Sequence, residues 1–197
     1  MSETWRLFVA IEPPAPVLEA VARVQDDLKR LFPERAVRWV KPEGVHLTLK
    51  FLGNVPLSQI DSLKAALAEA TSGSGHRRFD LGVEGLGCFP SIRRPRVIWL
   101  GLTGDLDSLR ALQADVEKYI APLGYPTEKR EFRPHLTLAR ASRGASRDAI
   151  AAVGRIVEET DVGYLADWHV GEVSLMRSQL KPGGAVYTQL GVFELTP

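Results

Sequence analysis

The 197-residue chain is 45% hydrophobic and 25% charged, the mix of a soluble globular protein long enough to bury its own core. Its 25 basic and 24 acidic residues leave a net charge of +1, which excludes the strongly basic footprint of a duplex nucleic-acid binder. A single cysteine, Cys88, excludes an intramolecular disulfide framework and a multi-cysteine zinc site. The first apolar run, Leu7 to Ile11, is too short for a membrane span or a signal core. The expectation is a cytoplasmic monomer with no membrane partner.

In chain order, a strand is expected at Arg6–Ile11, then a helix from Ala15 to Leu31. Prolines suit a helix's first turn and are hostile to its interior, so Pro14 and Pro16 mark the start and Phe32-Pro33 the end. A strand at Val45–Phe51 follows, then a helix over Leu57–Ala70 with Ser58 as N-cap and a Ser/Gly-rich exit. The second half offers a strand at Val97–Leu102, a helix at Leu106–Ala121, a strand at His135–Arg140 and a helix at Ser146–Glu159. Two last strands are expected near Trp168–Leu180 and Val186–Leu195, with Lys181-Pro-Gly-Gly184 as the hairpin turn.

The halves repeat. His-Leu-Thr-Leu stands at His46–Leu49 and again at His135–Leu138, 89 residues on. The same shift lays Phe79–Leu86 on Trp168–Leu175 and Leu57–Thr71 on Ser146–Thr160. A slightly different shift lays Trp5–Ile11 on Arg96–Leu102. The pattern implies an α+β fold with two sheet-and-helix lobes, related by a pseudo-twofold around a central cleft, in one domain over residues 1–197.

Side chains alternate faces along a strand. His46, Thr48 and Lys50 therefore share one face, with Leu47, Leu49 and Phe51 on the other. Arg133, His135 and Thr137 likewise share a face, with Leu136 and Leu138 opposed. Two rails that face one cleft would bring two imidazoles and two hydroxyls together. Imidazole titrates near pH 6.5, so one ring can act as a base while the other acts as an acid. That pairing suits in-line displacement at phosphorus, with hydroxyls and an arginine holding the non-bridging oxygens. A strand with one His-x-Thr is ordinary; two copies that take two of the four histidines are not.

The chain resembles the two-histidine (2H) phosphoesterases, specifically the RNA 2′,3′-cyclic phosphodiesterases also known as LigT-like 2′-5′ RNA ligases. The resemblance rests on Arg6–Ile11, on Trp39–Gly53 around the first motif, on Phe132–Arg140 around the second, and on Met176–Leu180 through to Tyr187. It implies hydrolysis of an RNA 2′,3′-cyclic phosphate to a 2′-phosphomonoester, and 2′-5′ joining when a 5′-hydroxyl attacks instead. By position, His46 corresponds to the proton donor and His135 to the proton acceptor, with Thr48 and Thr137 as phosphate ligands. No metal or organic cofactor is implied, and the partner is an RNA end carrying a 2′,3′-cyclic phosphate.

Arg133 joins this set as a further phosphate clamp because it shares the face of His135. Lys50 does so by sharing the face of His46. Arg140 falls on the face opposite His135 in a regular strand, unless a bulge re-aims it. Six basic residues against one acid between Lys129 and Arg147 suggest a basic rim for RNA. Trp39, Phe51, Phe89 and Phe132 lie near the motifs, where core packing competes with base stacking. His76 reads as exposed, His169 has no partner motif, and Cys88 reads as a small buried hydrophobe. Competing readings are a phosphodiesterase of small cyclic nucleotide phosphates or 2′-5′ oligonucleotides, a non-catalytic RNA-end binding module, and a metallohydrolase. The last lacks an acidic or cysteine cluster to accompany its histidines.

Overall fold

A computed structural model describes residues 3–182 and 184–197. The chain runs β1 (Thr4–Ile11), α1 (Ala15–Leu31), β2 (Val37–Trp39), β3 (Leu47–Pro56), α2 (Ile60–Ala68), β4 (Phe79–Phe89) and β5 (Val97–Gly104). It continues as α3 (Leu106–Ile120), β6 (Leu136–Ala141), α4 (Arg147–Glu159), β7 (Tyr164–Val170), β8 (Glu172–Lys181) and β9 (Gly184–Glu194). Two antiparallel sheets result, in the orders β3-β1-β8-β9 and β2-β6-β5-β4-β7. Three strands of each sheet correspond through the repeat: β3 to β6, β1 to β5, and β8 to β4. The expected α+β, two-lobed architecture is what forms.

The lobes are not the two halves of the sequence. Helix α1 follows β1 of the first sheet but packs against β7 of the second, whereas α3 follows β5 of the second sheet and packs against β3 of the first. Each half thus lends its leading helix to the other's sheet. Both helices read clearly as amphipathic: α1 buries Val17, Ala20, Val21, Val24 and Leu28, spaced as one face of a helix. Helix α3 buries Leu109, Leu112, Val116 and Ile120 in the same way, and Asp105 caps it by accepting from the Ser108 amide at 3.0 Å. One continuous cluster of buried apolar side chains joins both sheets, from Val9 and Leu47 to Leu100 and Leu136. Fully burying a leucine is worth about 1.5–3 kcal/mol, so these rails anchor both motif strands firmly.

Several boundaries differ from expectation. Helix α2 is shorter than Leu57–Ala70 because Leu57–Gln59 forms a 3-10 turn and Glu69–Gly73 a π turn; its N-cap is Gln59 rather than Ser58. The stretch Trp168–Leu180 is two strands in different sheets, parted at Gly171, where the chain crosses from one lobe to the other. Short β2 lay below the length at which alternation is readable. The hairpin between β8 and β9 sits at Lys181–Gly184, with Gly183 outside the described residues.

Candidate active site

Both motif strands carry the same irregularity. On β3, Lys50 pairs with Val9 and Thr48 with Ala10, so Leu49 is the extra residue of a bulge. On β6, Ala139 pairs with Ile98 and Thr137 with Trp99, so Leu138 is the extra residue. A bulge shifts side-chain parity by one position beyond it. Leu49 and Lys50 are therefore both buried, as are Leu138 and Ala139. Phe51 and Arg140, equivalent in the repeat, turn to the cleft.

This corrects the reading of Lys50. It is 5% exposed, and its Nζ donates to Glu117 Oε2 of α3 and, at 2.9 Å, to the Pro126 carbonyl. It is a buried ion-pair partner pointing away from His46. Phe51, expected in the core, is 67% exposed on the cleft side beside Phe8. The regular-strand reading of Arg140 also gives way: the bulge re-aims it, and its charge lowers the proton affinity of both motif histidines.

The rings are held alike. His46 Nδ1 lies 2.9 Å from the Gly44 carbonyl, and His135 Nδ1 lies 2.7 Å from the Arg133 carbonyl. A carbonyl only accepts, so each Nδ1 carries the proton and each Nε2 is left to exchange one with a ligand. His46 packs against Phe8 at 4.6 Å and the edge of Tyr187 at 5.1 Å. His135 meets the edge of Phe89 at 5.0 Å and lies 6.4 Å from Trp99. Phe8 and Trp99 are equivalent in the repeat; both sit one strand inward from a motif, and Gly87 is required beneath Trp99, since a Cβ there would lie 2.3 Å from the indole.

Burial pushes His46 down to about 4, against the Gly44 hydrogen bond and with help from the charges of Arg140 and His135. Burial and Arg140 also lower His135, against its bond to the Arg133 carbonyl. The two rings and Arg140 are thus close enough to disfavour one another's charge. Thr48 and Thr137 are half-buried on the same strand faces as the rings. Arg133 precedes β6, so strand alternation does not set its direction. Its side chain is exposed, pairs with Glu131 at 3.1 Å, and lines a groove of about 360 Å³ with Phe89, Trp99 and Phe132.

The supports are reciprocal too. Gln25, 1% exposed on α1, donates to the carbonyls of Leu138 at 3.0 Å and Val40 at 2.7 Å. Gln113 on α3 donates to the Leu49 carbonyl at 3.4 Å and to Glu117 at 3.3 Å. Each bulge carbonyl is therefore held by a glutamine from the other half of the chain. Sequence reasoning missed both glutamines, as it missed Phe8, Trp99 and Tyr187. The available signal was a polar residue inside each apolar helical stripe, next to Val24 and Leu112.

Away from the cleft, His76 bonds Asp115 at 2.9 Å rather than standing free, His169 bonds Asp80 at 2.7 Å, and Cys88 is buried as expected. Among the described residues, no group of three or more His, Cys, Asp or Glu has metal-holding geometry, and no helix is long and apolar enough to cross a membrane.

The family described as LigT like Phosphoesterase matches twice, over residues 11–99 and 100–187, one match per repeat. A Methanothermobacter thermautotrophicus protein named RNA 2′,3′-cyclic phosphodiesterase is 33% identical, covering 96% of this chain and 98% of its own. A namesake from Archaeoglobus fulgidus is 32% identical, covering 96% and 99%. Among solved structures, E. coli LigT complexed with 3′-AMP superposes with a TM-score of 0.76 at 28% identity, covering 99% and 100% of the two chains.

Proposed function

We propose that this chain, which belongs to the LigT-like phosphoesterases, hydrolyses RNA 2′,3′-cyclic phosphate ends to 2′-phosphomonoesters. The observation that carries the reading is the pair of equivalent bulged strands, each presenting an imidazole with its Nδ1 locked and its Nε2 free beside the same guanidinium.

In this mechanism water attacks phosphorus in line with the 3′ oxygen. His135 Nε2 accepts the water proton as the new P–O bond forms. His46, protonated at Nε2, gives its proton to O3′ as the P–O3′ bond breaks, leaving a 3′-hydroxyl and a 2′-phosphate. The hydroxyls of Thr48 and Thr137 and the guanidinium of Arg140 hold the non-bridging oxygens, where charge accumulates. Arg133 flanks the groove beside His135. The phosphodiester brings a negative charge that offsets Arg140 and supports the proton on His46. An RNA 5′-hydroxyl in the place of water gives a 2′-5′ linkage. The enzyme works as a cytoplasmic monomer, without a metal or organic cofactor.

The test is a short oligoribonucleotide ending in a 2′,3′-cyclic phosphate, incubated with the protein after metal stripping and with excess chelator. A 2′-phosphate product is expected. A 3′-phosphate product, or no turnover with or without added divalent ions, contradicts the proposal.

A further inference from the structure

The cleft face of the second sheet carries more positive charge than the reaction requires. Arg38 on β2 pairs directly with Arg140 on β6, Arg140 with Val97 on β5, and Val97 with Phe89 on β4. Directly opposed residues of an antiparallel pair point to the same face, with Cα atoms about 5 Å apart. Ile98 and Ala139, one position along, are fully buried, which fixes the opposite face as the core. Arg38 and Arg140 are thus exposed neighbours on the cleft side. Among the described residues neither forms an ion pair, whereas Arg133 nearby has Glu131.

Like charges directly across a sheet are destabilising, and nothing in the packing of β2 calls for a cation at this position. Val37 and Trp39, its neighbours, supply the contacts: Val37 is buried, and Trp39 stacks on Phe32 at 5.5 Å. A second guanidinium directly across the strand pair from Arg140, on the edge strand of the cleft, matches a polyanion with charges spaced along a chain.

We propose that Arg38 binds the backbone phosphate of the nucleotide that precedes the cyclic end, so that the site reads an RNA chain rather than a lone nucleotide. This rests on the function proposed above. Arg140 takes the reacting phosphate and Arg38 the next one, toward the edge of the sheet.

The test compares two substrates, a nucleoside 2′,3′-cyclic phosphate and an oligoribonucleotide with the same end, for wild type, Arg38→Gln and Arg38→Lys. Arg38→Gln should lower kcat/KM on the oligonucleotide about 10-fold, carried by KM, a loss at least fivefold larger than on the nucleoside substrate. Its slope of log affinity against log salt should fall by about 1, and Arg38→Lys should restore most of the loss. Anisotropy with a labelled oligonucleotide ending in a 2′-phosphate reads the same contact without turnover. Arg23→Gln, on the exposed side of α1, controls for overall charge. Equal losses on both substrates, or no loss of oligonucleotide affinity beyond that of Arg23→Gln, would overturn the proposal. Wild-type turnover reports on the function separately: if neither substrate is consumed, that reading fails while anisotropy still judges Arg38.

Discussion

Strands β3 and β6 begin alike and end differently. Each runs from a histidine through a cleft-facing threonine to a bulged leucine set against the core. Beyond the bulge, β3 buries Lys50 and exposes Phe51, whereas β6 buries Ala139 and exposes Arg140. The shared part fixes geometry, because it is held by the same carbonyl locks and the same reciprocal glutamines. The differing part sets chemistry. It gives the cleft one apolar rim at Phe51 and one cationic rim at Arg140.

The sharpest break of this comparison is removal of either ring. His46→Ala and His135→Ala should each cost about 100- to 10,000-fold in kcat with the fold intact. The double variant should lose far less than the product of the two, because in the proposed mechanism the rings act as one unit. Steady-state kinetics with a circular-dichroism check measures both.

Next in size is the buried Lys50–Glu117 pair, which has no counterpart at Ala139. Removing one partner strands a buried charge, at a cost of about 3–5 kcal/mol. Lys50→Met should show that loss in urea unfolding, and Lys50→Met with Glu117→Leu should recover much of it. If Lys50 instead held substrate, activity would fall while stability stayed.

Gln25→Leu should cost about 1–3 kcal/mol, since the Leu138 and Val40 carbonyls lose a buried donor. It should lower kcat more than Gln113→Leu, whose bond to its own bulge is longer, 3.4 Å against 3.0 Å.

The smallest effect is on pH dependence. In the proposed mechanism, protonation of His135 removes the base as pH falls, and deprotonation of His46 removes the acid as pH rises. Burial lowers His46 to about 4 and holds His135 below the ordinary 6.5. The kcat/KM profile, which reports the free enzyme, should be a bell with both limbs below 6.5. An optimum above pH 7 would show that burial does not govern the pair.

Repetition and alternation made the motif strands, the helices and the two-lobed α+β plan legible, because each depends on local pattern. They failed at the bulges. One inserted residue leaves no mark in the pattern of Leu-Lys-Phe or Leu-Ala-Arg, yet it exchanges Lys50 for Phe51 at the cleft and delivers Arg140. Phe8 and Trp99 were hidden for a different reason: an aromatic in an apolar strand reads as core until the sheet's second face is seen to line a cleft. The exchange of α1 and α3 between lobes is a long-range choice with no local signature.

The division of labour between two look-alike histidines is the central claim, and a leaving-group substitution tests it most directly. A 2′,3′-cyclic phosphate with sulfur in the 3′ bridging position expels a thiolate, which needs no proton donor. On this substrate His46→Ala should regain most of its lost rate relative to wild type, while His135→Ala should stay as impaired as on the oxygen substrate. Rescue of His135→Ala instead, or of both variants equally, would contradict the assignment.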